Sequence, residues 1–156
     1  MADTSYSRKF LAIVDDSPEC DRAVTFAAHR VKRTGGTLQL MAVIDSEDFG
    51  QFIGVADTMR AEARREAESN LDVRIARIAT IGQIRTETVI REGRPAEAIE
   101  AVVASDPGIG ILVLAAGIGD KGPGPLIAHF AGHARLHILV TIVPGAMTDE
   151  EIVAVA

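Results

Sequence analysis

The chain is short of several things, and each shortage excludes a class of protein. It has one cysteine, Cys20, so no internal disulfide framework can form and a reducing compartment suits it. Cys20 has no histidine close in sequence to activate it and reads as a packing residue. No apolar run approaches the length of a membrane span, and MADTSYSRKF has no apolar core of the kind a secretory signal carries. The expectation is a cytoplasmic protein with no membrane attachment. Positive charge is scarce too. Lys and Arg number 16 against 22 Asp and Glu, a net charge of −6, which makes a nucleic-acid backbone a poor partner. An acidic excess of this kind serves solubility. Tryptophan is absent. What is present is a globular composition, 47% apolar and 24% charged, in 156 residues, enough for one domain with a real core.

The apolar runs are short and regularly spaced. Phe10–Val14 (FLAIV) reads as a buried strand, followed by Ser17 as a helix cap and Pro18 at the first helical position. Val24, Ala27, Ala28 and Val31 recur at helical spacing until Gly35-Gly36 stops the helix. Leu38–Ile44 (LQLMAVI) is a second buried strand. Phe52, Val55, Met59, Ala63, Ala67 and Leu71 then define a long amphipathic helix reaching to about Ile78, entered through Gly50 and Gly54. Gln83–Arg91 alternates as a third strand, Pro95 opens a short helix ended by Asp106-Pro107-Gly108, and Ile111–Leu114 is a fourth strand. A helix is expected from about Pro125 to Arg135, and His137–Val143 (HILVTIV) is a fifth strand. Residues 1–145 make one α/β domain. Residues 146–156 form a short helical tail opened by the capping box Thr148-Asp-Glu-Glu151. Strands alternating with helices predict a doubly wound parallel sheet with helices on both faces, and ligands in such sheets bind where the strand order reverses.

Two segments would meet at that point if the first strand is central. Asp15-Asp16-Ser17 follows the first strand, where a carboxylate could accept from an adenine amino group or a ribose hydroxyl, or could merely cap the next helix. The fourth strand runs into a loop containing Gly117, Gly119, Gly122 and Gly124, with Pro125 opening the following helix. Strand, glycine loop and helix N-terminus is an arrangement that holds phosphate. Gly117-Ile-Gly119-Asp-Lys-Gly122 is a literal G-x-G-x-x-G, yet it follows the wrong strand for a dinucleotide fingerprint, and no Gly-Lys-Ser/Thr makes it a Walker loop. The loop is either a modified phosphate cradle or a plain turn, and Lys121 either touches a phosphate or is solvated. His129, His133 and His137 are spaced by four with no carboxylate or cysteine beside them in sequence, which favours a solvated or interface face over a metal site. No nucleophile, base and orienting group stand together, so no efficient enzyme is expected.

FLAIVDDSPECDRAVTFAAHRVKRTGGTLQLMAVID, EGRPAEAI, ILVLAAG and HILVTIVP together resemble the universal stress protein family over nearly the whole chain. The resemblance implies a five-stranded sheet of order 3-2-1-4-5 and a homodimer formed through the last strands. It also implies, in one branch, ATP between the first and fourth strand ends. Asp15 matches the residue that contacts the nucleoside and Val43 one beside the adenine. In that branch the phosphate loop is Gly-x-x-Gly, a spacer, then Gly followed by Ser or Thr. Here Ala115 stands at the usual first Gly, the spacer to Gly124 is several residues short, and Pro125 replaces the Ser or Thr. Proline has no N–H, so one donor is lost. The implied nucleotide-binding set is Asp15, Val43, Ala115, Gly117, Gly119, Gly122 and Gly124. The ligand is ATP or another adenine nucleotide, with no metal beyond Mg accompanying it. The alternative is a member that has lost nucleotide binding and acts through dimerisation and protein contacts.

Overall fold

A computed structural model describes residues 8–49, 56–132 and 136–156. Five strands are present: β1 (Lys9–Val14), β2 (Thr37–Asp45), β3 (Thr86–Gly93), β4 (Ile109–Ala116) and β5 (Leu139–Pro144). They form one parallel sheet of order β3-β2-β1-β4-β5. The helices are α1 (Cys20–Thr34), α2 (Ala56–Ile81), α3 (Pro95–Ser105), α4 (Pro125–Gly132) and α5 (Asp149–Val155). Side chains alternate across a strand, so each buried strand feeds two cores. Ala12, Leu38, Leu40 and Val113 pack with α1, α2 and α5 on one face, and Leu11, Met41 and Leu112 pack with α3 and α4 on the other. That is the doubly wound arrangement expected.

The element boundaries moved for identifiable reasons. Helix α1 starts at Cys20, after Pro18, because the Ser17 hydroxyl and N–H both go to the Asp15 carboxylate and leave no side-chain cap on the helix. Strand β3 begins at Thr86 rather than Gln83, since its partner β2 begins at Thr37 and Leu38 pairs with Thr86. Strand β4 is longer than its apolar run, from Ile109 to Ala116, and β5 starts at Leu139, opposite Ile111. Helix α2 continues to Ile81 with Ala67, Leu71 and Ile78 buried as its spacing predicts. Phe52, Val55, Gly50, Gly54, His133 and Arg135 lie outside the described residues. Gly36, at φ +108°, passes so close to the Arg8 carbonyl that no β-carbon fits there, which fixes the entry into β2. The capping box of α5 is formed in both directions, and Ile152 is wholly buried in the core that also holds Val143 of β5.

Candidate functional site

The C-terminal ends of β1 and β4 lie side by side, and the chain leaves them toward opposite faces of the sheet. A cavity of about 670 Å³ opens there. Asp15 comes to it from the end of β1, held in an Asx turn in which its Oδ1 accepts the Ser17 N–H at 2.8 Å and the Ser17 hydroxyl. The carboxylate is therefore neither a cap for α1 nor loose in solvent.

The opposite wall is the glycine loop. Ala115, Gly117, Gly122 and Gly124 line the cavity, with Pro123, Pro125, Leu126 and Ile127. The loop is folded on itself. Gly117 N–H donates to the Pro123 carbonyl at 3.0 Å, and Gly122 N–H to the Gly119 carbonyl at 3.1 Å. Gly122 and Gly124 adopt φ of +80° and +111°, backbone that other residues enter at a cost, so the turn itself requires glycine at both. Helix α4 follows directly, its first intrahelical bond running from Ala128 N–H to the Gly124 carbonyl. Its N-terminus thus faces the cavity with Pro125 contributing no donor.

Not every expected residue arrives here. Val43 borders a separate, smaller cavity of about 210 Å³ that shares Asp15 and Asp45 with the larger one, so Asp15 stands between the two. Gly119 lines neither, and Lys121 is exposed outside both. The cavity also has residues that sequence reasoning missed. Asp45, the last residue of β2, accepts the Glu47 N–H at 3.0 Å, and Glu47 pairs with Arg94 at 3.0 Å across the β2 and β3 ends. A signal for them existed: in a parallel sheet every residue just past a strand's C-terminus falls on the same rim, so Asp45 and Arg94 belong with Asp15. His129, on α4, meets the Glu100 carboxylate of α3 at 2.8 Å and stands edge-on to Phe130. The carboxylate missing beside this histidine in sequence is supplied from another helix. Among the described residues, no three His, Cys, Asp or Glu side chains gather as a metal-binding group. Cys20 lies in the cavity floor, buried, with its thiol directed to the Ile13 carbonyl, and burial pushes its pKa up. It packs, and is not poised to react.

The sequence profile described as "Universal stress protein family" matches residues 7–117, from just before β1 to the first glycine of the loop. The chain belongs to the universal stress protein family. Solved members share the architecture. The universal stress protein UspA from Lactobacillus plantarum is 22% identical with a TM-score of 0.73, over 88% of this chain and 97% of that one. A family protein from Burkholderia pseudomallei is 20% identical with a TM-score of 0.70, over 90% and 98%. A universal stress protein described in complex with cAMP is 19% identical with a TM-score of 0.66, over 89% and 98%. At these identities the likeness is one of fold. No curated protein sequence matches the chain. No helix among the described residues is long and apolar enough to cross a membrane.

Proposed function

We propose that this universal stress protein is a cytoplasmic homodimer that binds an adenine nucleotide in the crevice between the β1 and β4 ends, as a stress-response binding protein rather than an efficient enzyme. One observation carries the reading. The fold opens a cavity of about 670 Å³ at its strand-order reversal, within the range of small-molecule sites, and lines it with Asp15 and three loop glycines. The cAMP complex of a structurally similar protein supports a nucleotide as the class of ligand. Asp15 would accept from the nucleoside, the apolar walls around Ile13, Leu114 and Ile127 would cover the base, and the α4 N-terminus would face any phosphate. The homodimer rests on the apolar edge of β5. Any Mg would come with the nucleotide.

The loop favours a second reading. With Gly117 and Gly122 N–H groups already engaged, and with prolines at 123 and 125, the segment has the geometry of a turn that satisfies itself. On that reading the protein acts through dimerisation and protein contacts alone. Calorimetric titration of the full chain with adenine nucleotides separates the two. Binding is expected, and Asp15→Ala should weaken it about tenfold, the effect of one lost hydrogen bond to a charged group. No heat with any adenine nucleotide at millimolar concentration would establish the second reading.

A further inference from the structure

The walls of the crevice are of the wrong sign for a highly charged ligand. Four carboxylates line it, Asp15, Glu19, Asp45 and Glu47. Among the described lining residues the one Lys or Arg is Arg94, and its guanidinium is already engaged by Glu47 at 3.0 Å, with Glu97 at 3.8 Å. Lys121, the other cation near in sequence, does not line the cavity. The loop itself offers fewer backbone donors than its glycines suggest. Two of the loop's N–H groups are spent on its own carbonyls, and Pro123 and Pro125 have none. Beyond the α4 N-terminus, a phosphate chain entering here would find little to replace its water, and it would be repelled by the carboxylates. Asp15, at the end of β1, remains suited to the hydroxyl and amino donors of a nucleoside.

Resting on the nucleotide reading above, we infer that the crevice selects a nucleoside carrying at most one phosphate, and rejects nucleoside triphosphates by charge. The discrimination comes from the end of β2 and the start of α3, where Asp45, Glu47 and Arg94 sit, as much as from the loop. Nor do the carboxylates offset this by gathering round a metal ion that could bridge to phosphates: among the described residues no such group forms.

The test is calorimetry on the full chain with adenosine, AMP and magnesium ATP, each at low and at high salt. Adenosine and AMP should bind at least about tenfold more tightly than ATP. Raising the salt should strengthen what ATP binding there is, because salt screens repulsion as it screens attraction. Glu47 is an exposed turn residue, so Glu47→Lys should fold normally. That variant reverses one wall charge, and it should raise ATP affinity several-fold while moving adenosine little. ATP binding as tight as AMP, or weakening with salt as in a basic phosphate cradle, would overturn the inference and leave the nucleotide reading standing. Failure of all three ligands would remove the nucleotide reading itself, and this inference with it.

Discussion

Strands β2 and β5 have similar chemistry and different surroundings. TLQLMAVID and LVTIVP are both mostly apolar and both run parallel to a neighbour. Strand β2 lies between β1 and β3 and is buried along most of its length, with Leu38, Leu40 and Met41 wholly inaccessible. Strand β5 is at the sheet's edge with only Val143 buried, while Leu139 is 69% and Ile142 38% exposed. The other edge, β3, carries Glu87, Arg91 and Glu92, charges that discourage another strand from pairing. Strand β5 carries no charge at all. An apolar, uncharged edge is the feature that a second copy would cover, and the difference between the two edges orients the expected dimer.

The largest effect should come from the buried strand. Leu40→Ala removes a fully inaccessible side chain from a two-sided core and should cost about 2–5 kcal/mol in denaturant unfolding. Leu139→Ala should cost under about 0.5 kcal/mol in the monomer. Equal losses at the two sites would mean that β5 is covered within the chain and would break the comparison. Next is association. Ile142→Lys, a charge in mid-edge, should raise the dimer dissociation constant by at least about tenfold in sedimentation experiments without lowering monomer stability by more than about 0.5 kcal/mol. A wild-type chain that stays monomeric at micromolar concentration would remove the dimer.

The smallest effect is electrostatic and sharpens the contrast at the strands' starts. Lys9 donates to Asp106 at 2.9 Å and to Glu87 at 2.9 Å, tying β1 to β3 and to the turn before β4. The hydrogen bond from Lys9 holds the Asp106 carboxyl below its ordinary 3.8. The bonds to Asp106 and then to Glu87 hold the Lys9 ammonium above 10.5. The carboxylate's contribution is thus full above pH 3.8 and lost as pH falls through its lower folded value. The ammonium's is full below pH 10.5 and lost as pH rises through its higher one. Lys9→Met should flatten both ends of the stability-against-pH curve, by up to about 1 kcal/mol. Unchanged slopes at both ends would show the pair to be inert.

Much of the fold was legible because the relevant signals are local. Gly35-Gly36, Pro95, the Thr148–Glu151 box and the short apolar runs each act within a few residues, and each appears where its chemistry directs. The misplaced ends were those set by a partner: β3 waits for β2, and β5 for β4. The start of α1 failed for a third reason, since Ser17 has one hydroxyl and Asp15, two residues away, captured it before the helix could. In the crevice, Asp15, Gly117, Gly122 and Gly124 were legible from the sheet rule and the glycine pattern, and Ala115 from the family resemblance. Asp45, Glu47, Arg94 and the Glu100–His129 contact were not, being brought together from elements far apart in sequence.

The sequence by itself determined the order of strands and helices, the family, and which loop would carry the glycines, because these follow from patterns along one line of residues. Only the tertiary structure decided that two apolar strands would differ so far in exposure, since burial depends on what the sheet places on either side. Likewise it alone decided that two of the loop's donors turn inward and that four carboxylates from separate segments share one cavity, because hydrogen bonds and charges act through space rather than along the chain.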